Sequence, residues 1–480
     1  MTNPTLDQAL KHYDSHGRHR FHVPAHAGHG ERLGASSLLS DPYRYDLTEL
    51  DGLDVLSDPE GCLADSQASI ASIFNVAQSF LLVNGATVGI EAALLAALKP
   101  GDKVLLPRNV HRSVVSGLIL TGAQPVWFLP ERHSQWGLWG AVSIKSIEQE
   151  LEKQPDIIAL VLTSPTYEGI GSNIEAIATL CRNKNVLLIV DEAHGSLWPL
   201  SDRLPQSAVQ AGADCVIHSI HKSAGCLTQG ALAHLPHHSR ISSAAYQQAL
   251  NLLQTTSPSY LLMASIEACC HFWQREEGQA RLNTWLDQVA ELRTQLAQGL
   301  KTLSLFEGEN SQQAQLCDPS KLYWIHPQIQ GDDWGAQFEE ELKLAYESAS
   351  PYGVLYLMNP GLENDDFKTF ADLMHEGETL IAQQSPPTLT LPLQGRGDNS
   401  IAAMLDAQNP AILLPEIALA PREAFFSESE HIETQLALNR ISHEMIVRCP
   451  PGIPVLMPGE RITEAHIPFL PENGIRVVSY

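Results

Sequence analysis

Two short apolar runs constrain this chain more than any other feature, because each ends in ionisable side chains. Val186-Leu187-Leu188-Ile189-Val190 leads into Asp191-Glu192-Ala193-His194-Gly195, and Val216-Ile217 leads into His218-Ser219-Ile220-His221-Lys222-Ser223. An aliphatic, β-branched run without polar alternation is the pattern of a strand buried on both faces. A parallel strand of that kind delivers its last side chains to a site at the C-terminal edge of the sheet. A carboxylate at one strand end and a lysine after the next are the pair that pyridoxal 5′-phosphate chemistry needs. The lysine forms an imine, and the carboxylate keeps the pyridine nitrogen protonated. His218 and His221 flank Lys222, and their closeness in a partly dry pocket predicts a lowered lysine pKa.

The surrounding pattern predicts the sheet. Strands are expected at Ser79–Asn84, Lys103–Pro107, Pro125–Leu129, Ile157–Thr163, Val186–Val190 and Cys215–His218. Helices are expected at Asp65–Asn75, Thr87–Leu98 and Arg112–Thr121. Short strands separated by helical stretches imply βαβ units and a mostly parallel sheet flanked by helices, an α/β fold. After about 260 the texture changes to long helices at Tyr260–Trp273 and Ala280–Leu303. Alternating segments follow around Leu322–Ile325, Ala336–Ser348 and Gly353–Met358. A chain of 480 residues exceeds one hydrophobic core,. The expected division is an arm at 1–45, a large domain at 46–290, a small α/β domain at 291–384, a Pro/Gly-rich linker at 385–400 and a C-terminal α+β domain at 401–480.

Charge and composition narrow the partners. The formal net charge is −25, which argues against nucleic acid or an anionic membrane, since both need a basic footprint. It is compatible with a cationic substrate. The N-terminus lacks a basic segment followed by an apolar one, and no apolar run reaches the ~18 residues of a membrane span. Eight cysteines are scattered without a C-x-x-C pair, the usage of reduced thiols in the cytoplasm.

Asn84-Gly85-Ala86-Thr87 follows a strand and opens a helix, where backbone N–H groups, a hydroxyl and the helix dipole suit either an anion or an ordinary N-cap,. Ser219, His221 and Lys222 bring a hydroxyl, an imidazole and an amine together. Asp191-Glu192-Ala193-His194 also spells the DEAH box of helicases. That reading fails because no G-x-x-x-x-G-K-[ST] loop exists in this acidic chain,. His12, His16, His19, His22, His26 and His29 crowd the arm, yet no cysteine or carboxylate array completes a metal site,. A polar arm with one or two site histidines and no metal is expected.

Taken in order, these stretches resemble the ornithine/lysine/arginine decarboxylase family of fold-type-I pyridoxal phosphate enzymes, in its short form without an N-terminal wing domain. The resemblance runs through Phe21-His22-Val23-Pro24, Asp46 to Asp54, Leu82 to Thr87, Pro100 to Val104 and Pro107 to Ser113. It continues through Ser164-Pro165-Thr166-Tyr167-Glu168-Gly169, the Asp191 and Lys222 segments, Thr255 to Ser265 and Cys449 to Glu460. It implies that Lys222 is the imine-forming lysine and that Asp191 pairs with the pyridinium nitrogen. His111 would stack on the cofactor ring, with His194 beside it. Ala86, Thr87, Ser219 and His221 would form the phosphate cup, and Thr256 and Ser257 would reach the phosphate of a neighbouring subunit in a homodimer or larger even-numbered oligomer.

The resemblance also implies decarboxylation of a basic amino acid in polyamine metabolism. Arginine giving agmatine or lysine giving cadaverine stands ahead of ornithine giving putrescine. Glu444 and Glu460 are the candidates, by position, for the carboxylate that reads the substrate's distal cation. The chain departs from the family pattern twice. Pro24-Ala25-His26-Ala27 stands for Pro-Gly-His-Lys, and Cys449 stands where an aromatic usually precedes Pro-Pro-Gly. The alternatives are another fold-type-I reaction, such as aminotransfer or elimination, or a non-catalytic protein of the same fold. An aminotransferase usually holds the α-carboxylate with a small-domain arginine, and residues 290–385 offer none after Arg293.

Overall fold

The computed structural model describes residues 6–133, 136–308, 310–384, 414–448 and 452–479. The expected linker at 385–400 and the altered position Cys449 lie outside the described residues.

At the centre is a seven-stranded sheet. Its strands are β1 (Gln78–Leu82), β2 (Lys103–Pro107), β3 (Gln124–Phe128), β4 (Ile157–Thr163), β5 (Leu187–Asp191), β6 (Cys215–His218) and β7 (Ala231–Leu235). The spatial order is β1-β7-β6-β5-β4-β2-β3. From β6 to β3 all neighbours are parallel. β7 runs antiparallel to both β6 and β1. Six of these strands follow the sequence pattern closely; β7 does not. Its Ala-Leu-Ala-His-Leu stretch is weakly β-prone and carries a histidine, which the fold accommodates because His234 Nδ1 meets Ser79 Oγ at 2.8 Å,.

The unbroken apolar runs are explained by cover on both faces. In β5, Leu188 and Val190 join a core with Ile70, Phe74 and Trp273, whereas Ile189 joins a second core with Ile90, Leu94 and Leu118. Period-2 alternation therefore feeds two cores rather than one core and solvent. Each such fully buried aliphatic side chain contributes about 1.5–3 kcal/mol relative to exposure. The chain winds outward from β2 to β3 and returns inward from β4, so the winding reverses between β2 and β4. The crevice beyond the strand ends at such a reversal is where ligands bind in open α/β sheets.

Beyond the helix Glu276–Gly299, a smaller antiparallel sheet has the order β8-β9-β11-β10, built from β8 (Ser304–Leu305), β9 (Lys321–Ile325), β10 (Ser348–Ala349) and β11 (Val354–Leu357). The segment read as Ala336–Ser348 divides. A helix, Gly331–Leu342, stops at left-handed Lys343, and a strand, Leu344–Tyr346, follows. The C-terminal part adds two short antiparallel pairs, Ser429–Ile432 with Ile475–Val478 and Ile446–Arg448 with Ile453–Leu456.

Two backbone connections tie these parts to the large sheet. His19–Phe21 of the N-terminal arm pairs in parallel with Leu344–Tyr346. The arm then runs past the site, where Ala25 N–H donates to His221 O at 3.0 Å and Gly361 N–H donates to Ala25 O at 3.3 Å. A side chain at position 361 would collide with the arm, since a Cβ there would lie 2.6 Å from His26 O. At the other end, Arg112 N–H donates to Gly452 O at 3.0 Å.

Arg108, at the end of β2, is fully buried and forms a two-armed pair with buried Glu460, both contacts at 3.0 Å. Arg108 Nη2 also donates to Val455 O, and Met457 N–H donates to Glu460 Oε2. Removing one member of a buried pair strands the other charge, a far larger effect than loss of an exposed pair such as Lys153–Glu150,. Glu460→Ala is therefore expected to cost about 3–5 kcal/mol, whereas Glu150→Ala should cost under about 1 kcal/mol. Denaturant unfolding of the two variants checks the contrast.

Candidate active site

The strand ends converge on a cavity of about 250 Å³. Most of its lining comes from five places in the chain, with Trp139 and, from the C-terminal part, Ile453 adding to it. The turn after β1 supplies Gly85, Ala86 and Thr87, and the loop after β2 supplies Asn109, His111 and Ser113. β4 and its following loop supply Thr163, Thr166, Tyr167 and Glu168. β5 supplies Asp191, Ala193 and His194, and the turn after β6 supplies Ser219, His221 and Lys222. Register explains the convergence, since Asp191 pairs with Thr163 on one side and Ile217 on the other. The sequence-predicted set Ala86, Thr87, His111, Asp191, His194, Ser219, His221 and Lys222 is thus gathered around one space.

Gly85 opens its helix with φ +75°, a left-handed conformation that favours glycine, and the helix continues to Ala97,. The first-turn N–H groups of such a helix lack intrahelical acceptors, so Gly85 to Thr87 with Ser219 can cradle an anion. Asp191 Oδ1 accepts from Ala193 N–H at 3.1 Å, leaving the second oxygen for a ligand. His111 caps the next helix. Its Nδ1 accepts from Ser113 N–H at 3.2 Å and contacts Ser113 Oγ at 2.9 Å, so the ring plane is fixed and Nε2 is left for other contacts. Burial lowers the His111 pKa, Asp191 opposes that shift and Lys222 adds to it.

Lys222 is lowered by burial, with Asp191 and Glu347 pulling the other way. His218 has no part in this, contrary to the sequence expectation. It is the last residue of β6 and its side chain leaves on the opposite side, where Nε2 meets Glu192 Oε2 at 2.7 Å. Glu192 is further held by Ser207 Oγ–H and by Ala208 N–H at 2.8 Å. Successive residues Asp191 and Glu192 thus serve opposite ends of the pleat, one in the cavity and one in the core.

His194 stands between two amines. Its Nε2 lies 3.0 Å from Lys222 Nζ and its Nδ1 lies 2.8 Å from Lys321 Nζ. Burial, then both lysines, hold its pKa well below the usual imidazole range. Lys321 opens β9 and also donates to Tyr167 O at 3.0 Å. Sequence reasoning passed over it while looking for an arginine in that region. The available signal was a lone cation heading a fully buried strand.

Glu168 belongs to the Ser164–Gly169 stretch, and the sequence alone gives it no role. It lines the cavity, burial raises its pKa, and Thr166, Lys321 and Arg132 only partly offset that. Among the described residues, the ion pairs do not include it. The four remaining candidates lie elsewhere in the single chain. Thr256 and Ser257 are exposed and do not line the cavity. Glu460 is occupied by Arg108, and Glu444 Oε1 accepts from Arg476 N–H at 2.9 Å within the C-terminal part. Among the described residues no cluster of three or more His, Cys, Asp or Glu side chains is placed to hold a metal, and no helix is long and apolar enough to cross a membrane.

Comparison with known proteins gives consistent matches. Residues 4–374 match the family described as Orn/Lys/Arg decarboxylase, major domain, and residues 402–471 match its C-terminal domain. The chain is 32% identical to an arginine decarboxylase of Bacillus subtilis, over 98% of this chain and 93% of that one. It is 22% identical to an inducible lysine decarboxylase of Escherichia coli, over 97% of this chain and 76% of that one. In three dimensions it resembles lysine decarboxylase A from Pseudomonas aeruginosa with a TM-score of 0.77, at 20% identity, covering 99% of this chain and 80% of that one. The fold is therefore that of the fold-type-I pyridoxal phosphate enzymes.

The neutral buried histidines make stability pH-dependent. Burial lowers His221 and His466 to about 4, against 6.5 when unfolded. Between those values the unfolded chain binds more protons, so the stability these groups confer is complete above about pH 6.5 and is lost toward pH 4. Denaturant midpoints should fall steadily from pH 7 to pH 5, and His466→Gln should make that slope shallower.

Proposed function

The chain belongs to the Orn/Lys/Arg decarboxylase family, and on that premise we propose that it decarboxylates arginine to agmatine with pyridoxal phosphate as cofactor. The observation that carries this reading is the meeting of Lys222, Asp191 and His111 around one cavity with an anion cradle at its end. That donor set fits the cofactor group by group. Gly85, Ala86, Thr87, Ser219 and His221 suit the phosphate, Asp191 the pyridine nitrogen, His111 the ring face and Lys222 the aldehyde carbon. When bound, the cofactor supplies an electron sink for the pair released as carbon dioxide departs.

The chain's own groups account for the rest. Asp191 is buried and 5% exposed, so its charge is felt at short range with little screening,. His111, with its ring fixed by Ser113, covers one face of the cavity and keeps water from it,. Lys222 and His111 are the two groups able to carry a proton to the α-carbon.

The choice of arginine rests on the likeness to the arginine decarboxylase of Bacillus subtilis and on Glu168. A carboxyl group that lines the cavity suits a guanidinium, which offers paired donors. Glu444 remains a candidate for this role only through a neighbouring subunit, whereas Glu460 is buried and taken up by Arg108. The exposed loop at Thr256 and Ser257, close to the 75% exposed Leu252, supports a homodimer in which this loop completes the partner's phosphate cup,.

Borohydride reduction of the cofactor-loaded protein should bleach its visible band and leave a pyridoxyl label on Lys222. Carbon dioxide should be released from arginine in preference to lysine and ornithine, and Lys222→Ala should abolish release while leaving unfolding unchanged. Absence of label and of release overturns the reading. For Glu168→Gln, kcat/KM for arginine should fall about 10- to 100-fold, the range expected for a lost charge-assisted hydrogen bond. Turnover of citrulline, a neutral isostere, should change little.

A further inference from the structure

The two lysines on His194 define a directed chain of hydrogen bonds. A neutral imidazole has one N–H and one lone pair, so it donates to one lysine and accepts from the other. The ring is buried between two amines, where a second ring proton would add a third positive charge to one small space,. The question is therefore which lysine is the donor.

Lys321 is the better placed. Its Nζ has two acceptors, Tyr167 O at 3.0 Å and His194 Nδ1 at 2.8 Å, and three N–H groups to fill them,. Asp318, Glu347 and Glu168 surround it as carboxylates, opposed by the charge of Lys222 and by burial. The face of the Tyr167 ring lies 5.8 Å away and adds a further weak attraction for a cation,. These groups keep Lys321 charged at neutral pH although burial lowers it to about 8. Among the described residues the Lys222 side chain meets His194 Nε2 at 3.0 Å, with Asp191 and Glu347 acting from further off.

We propose that Lys321 is a positioning residue: it donates to His194 Nδ1, fixes the ring proton on Nε2, and so directs an N–H at Lys222 Nζ that holds Lys222 as a neutral amine. An ammonium at Lys222 would bring N–H against N–H at 3.0 Å, whereas an amine presents its lone pair to the ring. The chain Tyr167 O, Lys321, His194, Lys222 is then satisfied at every link, with one positive charge that sits on Lys321. The inference builds on Lys222 as the imine-forming lysine, but neither readout below depends on turnover.

The test uses the full-length protein before cofactor is added. Nitrogen-15 spectra of histidine-labelled protein, with His194 assigned by its loss in His194→Gln, report which ring nitrogen carries the proton. Acylation of Lys222, followed by mass spectrometry across pH, reports the fraction of neutral amine. Wild type should show Nε2–H. Lys321→Met should populate Nδ1–H and move the pH midpoint of Lys222 acylation upward by about one unit, a tenfold change in proton affinity, so that acylation is slower below that midpoint. Lys321→Arg should keep the wild-type tautomer. A wild-type ring protonated on Nδ1 overturns the proposal by itself, whether or not the variants fold. Slower acylation in Lys321→Met with an unchanged tautomer also overturns it, because loss of a nearby charge would then suffice. If carbon dioxide release fails while both readouts behave as stated, the assigned reaction falls and this inference stands.

Discussion

The central sheet is covered on both faces, and that leaves an ionisable side chain within it two ways to exist. It is paired inside the core, or it is released where the strand ends. Adjacent Asp191 and Glu192 take one way each. Glu192 is held by hydrogen bonds with His218, Ser207 and a backbone amide, while Asp191 lines the cavity, one of its oxygens accepting from Ala193 N–H. The same logic gathers the other polar groups. Thr163, His111, Lys222 and Thr87 all follow strands whose interiors admit no polar alternation, so their functional atoms are crowded beyond the same sheet edge.

That edge is completed by parts of the chain far away in sequence. The loop after β2 carries both Arg108 and His111, and Arg108 is fastened to Glu460 in the C-terminal part. Two residues separate the buried ion pair from the imidazole that covers the cavity. Ile453, from the same C-terminal part, is itself one wall of that cavity. The small sheet contributes Lys321 behind His194. Stability and site geometry therefore share residues, and damage to the C-terminal part would be felt at the site before the large sheet gave way.

How much was legible in the sequence follows from the range of the forces involved. Strand positions and the residues just past them were readable because burial on both faces writes a local pattern, as in Leu187–Asp191 and Ile157–Thr163. β7 was not readable, since its place is secured by pairing on both sides and by the contact between Ser79 and His234, 155 residues apart. In the site, His111 and the role of His194 were implied only by the family resemblance, whereas Lys222 and Asp191 announced themselves by following apolar runs. Lys321 could not, because its meaning lies in a contact with His194 across 127 residues. Glu460 drew attention by its position near the C-terminus alone, yet the partner that occupies it, Arg108, is 352 residues away. His218 was misplaced for a simpler reason: alternation along β6 turns it away from Lys222.

The N-terminal arm has a consequence for the order in which the molecule is made. Ala25 bridges the backbone of His221 to that of Gly361, and His19–Phe21 pairs with Leu344–Tyr346. The contacts with Gly361 and with Leu344–Tyr346 span more than 300 residues, and closing so long a loop is slow because its entropy is lost before the contacts repay it,. On a ribosome the arm emerges well before its small-sheet partners. The large sheet can be translated and packed while the arm still lacks Leu344–Tyr346 and Gly361. The arm is thus placed near the end of folding, and the turn at His221 and Lys222 gains its full backbone support only once the distant small sheet has been synthesised.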